Sequence, residues 1–286
     1  DIVMFKAKSK GKDKSQYFDG AILKDFLQNV SIETKLKEAV FAQNFMMHFQ
    51  PQFRTTDRAL RGVEALIRWK DDTGDMISPA VFIPIAEKNG TIVPIGTWVI
   101  EESLKAYADW RRKYHYPLIM SINISAIQYK QPDFIEKLLQ ILEKYDISPY
   151  EIELEITESI LIDDFTEITE RLAILRDIGI KISLDDFGTG FSSLSYLKGL
   201  PIDTLKIDKS FIDTVITDEN TRIITESIIY MVKKLGFETI AEGVETEEQF
   251  KYLNEISCDI IQGYYLGKPM PAADIEKLLA NMTSNV

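Results

Sequence analysis

Two kinds of pattern take turns along the chain. Short runs in which apolar and polar residues alternate predict strands at Met46–Phe53, Leu60–Trp69, Leu118–Ile124, Glu151–Ile156, Lys181–Asp185, Thr204–Ile207, Glu238–Ala241 and Cys258–Gln262. Between them apolar residues recur at helical spacing, as in Pro132–Tyr145, Asp164–Ile178, Asn220–Leu235 and Glu247–Ile256. Thr246 ahead of Glu247 and Glu248 reads as a helix start, and Gly179 and Gly236 stand where left-handed backbone ends a helix. About eight strands, nearly each followed by a helix over ~250 residues, predict an α/β fold, a (β/α)8 barrel of TIM type. Only Arg54–Ala59 separate the first two strands. No crossover helix fits there, so that pair is expected to be antiparallel and the barrel irregular.

The strands are two-faced. Ile182 and Leu184 alternate with Lys181, Ser183 and Asp185, and Ile152, Leu154 and Ile156 alternate with Glu151, Glu153 and Glu155. With a side-chain period of two, the apolar rows meet the outer helices and the polar rows point at the barrel axis. The alternative, an antiparallel sheet with its polar faces in water, fits poorly with a helical pattern after nearly every strand. Chemistry in such barrels sits at the C-terminal strand ends. Those ends carry Glu64, Asn123, Glu155, Asp185, Asp186, Lys206, Glu242 and Gln262. Five carboxylates cannot share one rim unless some hold protons or cations lie among them. All-oxygen ligands select Mg²⁺ or Mn²⁺. With His48 and His115 the only histidines, the sequence argues against a zinc site built on His and Cys. Asp185 and Asp186 are the candidates to bridge two ions, helped by Gly188 and Gly190 where the pleat ends. Two ions ~3.5–4 Å apart suit hydrolysis of a phosphate ester by a metal-activated water. Lys206 would orient that water or stabilise phosphoryl charge.

Composition narrows the partners. The 33 Lys and Arg against 45 Asp and Glu leave a formal charge of −12 on 286 residues, which argues against nonspecific binding to nucleic acid or anionic lipid. No apolar run approaches the ~18–20 residues that cross a bilayer. Lysines at positions 6, 8, 10, 12 and 14 rule out a signal-peptide shape. The single Cys258 fits a reducing compartment. A cytoplasmic location is expected, free or as the cytoplasmic part of a membrane-anchored protein. The chain opens on Asp1 without a Met. Residues 20–36 are expected to form a linker helix, with the barrel over 37–286.

The segment Gly62-Val63-Glu64-Ala65-Leu66-Ile67-Arg68-Trp69 resembles the signature of the EAL domain, the cyclic di-GMP phosphodiesterases of bacteria. The resemblance continues in order through Gln50-Pro51, Ser78-Pro79, Asn123-Ile124-Ser125, Glu155-Ile156-Thr157-Glu158, Asp185-Asp186-Phe187-Gly188, Lys206-Ile207-Asp208, Ala241-Glu242-Gly243-Val244-Glu245 and Gln262-Gly263-Tyr264. It implies cleavage of cyclic di-GMP to linear pGpG with Mg²⁺ or Mn²⁺. Carried over by position, it implies that Glu64, Asn123, Glu155, Asp185, Asp186 and Glu242 are metal ligands. Lys206 and Gln262 would then position the water, and Gln50, Leu66 and Arg68 would contact the substrate. Glu158 would anchor the loop Asp186–Ser193, which in the family couples to a dimer interface, so a homodimer is expected. Phe191 and Phe49 depart from the family pattern, each keeping a ring and losing a hydroxyl. Residues 1–19 resemble the end of a GGDEF domain without its signature loop, which implies upstream GGDEF or sensory segments. Two other readings stay open: a catalytically silent receptor for cyclic di-GMP, and a glycosidase using two of the acids without metal.

Overall fold

The computed structural model describes residues 31–36, 44–71, 73–161, 165–188 and 197–283. The expected GGDEF-like remnant at 1–19, the linker helix before Ser31, and Phe191 with its loop from Thr189 onward lie outside these residues. The strands are β1 (Phe45–Arg54), β2 (Leu60–Lys70), β3 (Met76–Ile77), β4 (Ile119–Asn123), β5 (Ile152–Thr157), β6 (Lys181–Phe187), β7 (Thr204–Ile207), β8 (Glu238–Ala241), β9 (Ile260–Gln262) and β10 (Met270–Pro271). The helices are α1 (Pro79–Asn89), α2 (Ile92–Tyr114), α3 (Ala126–Tyr129), α4 (Phe134–Tyr145), α5 (Phe165–Ile178), α6 (Lys209–Thr214), α7 (Glu219–Lys234), α8 (Glu247–Glu255) and α9 (Ala272–Thr283). Every strand expected from the alternation is present, with ends shifted by at most two residues. The two-residue strands β3 and β10 are too short to show a period.

Two compact units result, one of residues 1–46 and 68–92, the other of 47–67 and 93–286. In the first, β3 pairs antiparallel with the end of β2, Trp69 opposite Ile77. Phe45, Trp69 and Phe82 form an aromatic cluster with ring centroids 5.5 to 6.1 Å apart. Residues 31–36 are helical, bury Ile32 and Leu36, and bring Lys35 Nζ to 2.9 Å from Asp71 Oδ2.

The second unit holds an eight-stranded ring, β1-β9-β8-β7-β6-β5-β4-β2, closed by pairing of β1 with β2. β2 and β4 to β9 run parallel, whereas β1 is antiparallel to β9 with Gln52 opposite Gln262. This is the irregular barrel that the short Arg54–Ala59 connection requires. Helix punctuation follows local chemistry: Thr246 Oγ1 accepts from the Gln249 amide, and the Gln249 side chain accepts in return from the Thr246 amide. Gly179 and Gly236 sit at φ 107° and 86°.

The inner and outer rows differ in chemistry, not in burial. Ile152, Leu154, Ile156, Ile182, Leu184, Leu205 and Ile207 are buried on the outer row, each worth roughly 1.5–3 kcal/mol. Ser121, Glu153, Ser183 and Thr204 on the inner row are equally buried, at 0% exposure. The polar row therefore does not face water, which removes the solvent-faced antiparallel sheet as an alternative. Among the described residues, no helix is long and apolar enough to cross a membrane.

Candidate active site

The strand ends meet around one ammonium group. Lys206 on β7 is 1% exposed. Its Nζ lies 2.7 Å from Glu242 Oε1, 2.8 Å from Glu155 Oε2, 3.2 Å from Asp185 Oδ1 and 3.6 Å from Glu64 Oε2. Four parallel strand ends and the start of the loop after β8 supply these groups, because alternation puts Glu64, Glu155, Asp185 and Lys206 on inward rows. Burial works against the charge on Lys206, but Asp185, Glu155, Glu242 and Glu64 outweigh it and lift its pKa well above the lysine range. The group is a fixed cation at any physiological pH.

One cation does not neutralise the cluster. Burial and the facing charges of Glu64 and Asp185 raise the Glu155 carboxyl well above the ordinary range, with Lys206 offsetting part of this. Burial, then Asp185 and Glu64, push Glu242 up to about 8 against the pull of Lys206. Glu64 goes the other way. Burial opposes its charge, but Lys206 and the amides of Gln262 and Asn123 hold its pKa below the usual value. Asn123 Nδ2 donates to Glu64 Oε1 at 2.6 Å, and Gln262 Nε2 makes a short hydrogen bond to Glu64 Oε2. Gln262 Nε2 also donates to Gln50 Oε1 at 3.1 Å, and Gln50 Nε2 to the Gly267 carbonyl at 3.1 Å.

Neighbouring residues of a regular strand point to opposite faces, so Asp185 and Asp186 need a break in β6. The β6–β7 register slips between Leu184 and Phe187, and Asp186 takes φ 55°, the left-handed region. Asp185 Oδ1 accepts from the Asp186 amide at 2.9 Å. In that geometry Asp185, Asp186 and Glu242 place carboxylate oxygens within 4.8 Å of one another. Burial and the charges of Asp185 and Asp208 raise the Asp186 carboxyl.

Glu155 Oε1 is buried with no hydrogen-bond donor. An orphaned carboxylate oxygen beside three convergent carboxylates fits hard divalent cations. Leu66, two residues past Glu64, is half-buried, and Glu158 opens the 3₁₀ turn Glu158–Leu161 after β5. Arg68 lies on the part of β2 that belongs to the first unit.

Below the carboxylates lies a second buried layer with no role assigned from the sequence. Arg61 donates to both oxygens of Glu153, at 2.6 and 2.7 Å, and Ser121 and Thr204 hydroxyls donate to the same carboxylate at 2.9 and 2.7 Å. At the opposite strand ends a cavity of about 700 Å³ is lined by Arg54, Lys181, Lys233, Glu238 and Asp259. Its charges pair locally, as Lys233 with Asp259 at 2.7 Å and Lys181 with Glu238 at 3.7 Å.

Residues 33–269 match the family model of the EAL domain. The chain belongs to the EAL domain family. EAL relatives include the signaling protein YkoW of Bacillus subtilis, 40% identical over 284 residues, which are 99% of this chain and 35% of YkoW. Another is the bifunctional diguanylate cyclase/cyclic di-GMP phosphodiesterase MucR of Pseudomonas aeruginosa, 35% identical over 99% of this chain and 41% of MucR. The chain thus spans 35% to 41% of the length of these relatives. Among solved EAL structures, the PaMucR phosphodiesterase in complex with c-di-GMP superposes with a TM-score of 0.82 at 36% identity, over 86% of this chain and 99% of that one. The EAL enzyme Bd1971 with cAMP and cyclic-di-GMP bound gives 0.84 at 34% identity, over 91% of this chain and 71% of that one.

Proposed function

We propose that this EAL domain hydrolyses one phosphodiester bond of cyclic di-GMP to give linear pGpG. The observation that carries the reading is Lys206 held among four carboxylates at the barrel mouth, with Glu155 Oε1 buried and unpartnered. Relatives named as cyclic di-GMP phosphodiesterases, MucR and NbdA of Pseudomonas aeruginosa, supply the substrate.

Glu64, Asn123, Glu155, Asp185, Asp186 and Glu242 would hold two ions, Mg²⁺ or Mn²⁺. Such ions, when bound, polarise the phosphoryl group and acidify water. The remaining work falls to the chain. Lys206 Nζ, fixed by its four partners and permanently charged, donates hydrogen bonds to the attacking water or to phosphoryl oxygens as charge grows there. Gln262, with Nε2 on Glu64, keeps that carboxylate ionised and oriented. By the family resemblance Gln50, Leu66 and Arg68 would contact the dinucleotide, and Glu158 would serve as a loop anchor. The burial of the inner row keeps bulk water from competing for these donors. Homodimerisation and upstream GGDEF or sensory segments belong to the same proposal for the whole protein.

The test is turnover of cyclic di-GMP to pGpG in Mg²⁺ or Mn²⁺, followed by chromatography. Activity should disappear with EDTA and return with the metal. A Glu64→Ala protein with unchanged kcat would remove the role given to Glu64. Tight dinucleotide binding with no turnover in saturating metal would leave a receptor in place of an enzyme.

A further inference from the structure

A run of hydrogen bonds crosses the barrel from the buried ion pair to Glu64. Arg61, clamped by Glu153, also donates from Nη1 to Gln52 Oε1 at 3.0 Å. Gln52 Nε2 donates to Gln262 Oε1 at 3.0 Å, and Gln262 Nε2 donates to Glu64 and to Gln50 Oε1. Gln52 is 0% exposed and Gln262 4%, so water does not substitute for a lost partner. The two glutamines face each other directly in the β1–β9 register.

A primary amide fits its pocket equally well either way round by shape, so its direction is decided by its partners. A guanidinium has donors and no acceptor. The end of Gln52 that meets Arg61 must therefore be its oxygen, which turns its NH₂ toward β9. The end of Gln262 facing that NH₂ must be its oxygen in turn, which leaves its own NH₂ for Glu64. A carboxylate at the far end requires the same sense. Both termini of the relay agree, and nothing between them can reverse without breaking several buried hydrogen bonds.

We propose that Gln52, oriented by Arg61 and Glu153, is a positioning residue that, together with Glu64, holds the Gln262 amide with its NH₂ toward the acidic cluster, so that only a residue demanding the opposite sense at position 52 would turn it. This rests on the reading of Glu64 and Gln262 as parts of the hydrolytic site. Reversal of Gln262 would set a carbonyl oxygen against the Glu64 carboxylate and withdraw the hydrogen bond that orients it.

The test compares Gln52→Glu with Gln52→Leu. The first is nearly isosteric and keeps an acceptor for Arg61, but as a carboxylate offers no hydrogen to Gln262 Oε1 and draws the Gln262 NH₂ toward itself. The second removes the contact without reversing it. If Gln52 merely filled space in the barrel, the leucine variant would be the worse of the two, because it leaves an Arg61 donor and Gln262 Oε1 unpaired. The relay predicts the opposite order: kcat falls about tenfold further in Gln52→Glu than in Gln52→Leu, with KM little changed in both. In metal-free protein, the side-chain NH₂ resonance of Gln262, assigned by its loss in Gln262→Leu, should keep its position in Gln52→Leu and move in Gln52→Glu. Equal kcat losses, a worse leucine variant, or an unmoved Gln262 resonance in Gln52→Glu would overturn the proposal. Wild-type protein with no turnover would instead count against the hydrolase reading, and the resonance measurement would still decide the relay.

Discussion

The pair Arg61–Glu153 gives a stability prediction that can be worked from the structure. Glu153 is 0% exposed, and burial alone would raise its pKa. The Arg61 charge and hydrogen bonds, with those of Thr204 and Ser121, reverse that and hold the carboxyl at about 2 against an ordinary 4.5. A fall of that size corresponds to about 3 kcal/mol of preference for the charged form. Removing one partner of a buried pair costs a similar amount, roughly 3–5 kcal/mol. Glu153→Gln keeps the shape and removes the charge, so it should lower the unfolding free energy at pH 7 by about 3 kcal/mol in urea titrations. The sign with pH follows from the depressed value. The contribution is fully present above about 4.5 and is lost as pH falls through about 2. The gap between wild type and Glu153→Gln should therefore be constant from pH 7 to 5 and close toward pH 2. Arg61→Gln added to Glu153→Gln should cost less than about 1 kcal/mol more, because the stranded cation goes with it. A Glu153→Gln loss under about 1 kcal/mol at pH 7, or a gap that does not change with pH, would refute the reasoning.

Other predictions follow from single contacts. Lys206→Met removes the cation shared by four carboxylates and should lower kcat at least about 10²-fold; activity within a few-fold of wild type would show that the cation is dispensable. Cys258 is 1% exposed, and burial pushes its thiol up to about 11. It should resist Ellman's reagent in native protein at pH 8 and react fully in urea, so rapid native labelling would contradict the fold around β8 and β9. A Cβ on Gly62 would lie 2.3 Å from the Ile119 carbonyl oxygen. Gly62→Ala should cost about 1–3 kcal/mol by forcing β2 and β4 apart, and a neutral urea midpoint would refute that contact.

The barrel was legible because its strands carry a strong two-residue period and its helices a clear 3.6-residue one. Glu64, Asn123, Glu155, Asp185, Lys206 and Gln262 stood out because each is polar on an inward row at a strand end. The Arg61–Gln52 layer was not legible for a local reason. Strict alternation from Glu64 puts Arg61 on the outer row with Val63 and Ala65, yet its guanidinium lies on Glu153 and Gln52 inside the barrel. The signal that would have exposed it was charge matching: an arginine at the start of a largely apolar strand, Arg61, and a glutamate, Glu153, each with no assigned task. The slip of β6 was half legible. Adjacent acids before Gly188 suggested an end to the pleat, but a left-handed Asp186 leaves no mark in composition.

The same slip gives β6 a phase as well as a composition. Deleting one residue between Lys181 and Leu184 would leave every downstream side chain intact but exchange the rows: leucine would enter the ring of charges, and an aspartate would be pressed among the helices. Length in this strand is thus under the same constraint as identity, and genetic drift that tolerates Asp-to-Glu exchanges here would still reject a single lost codon.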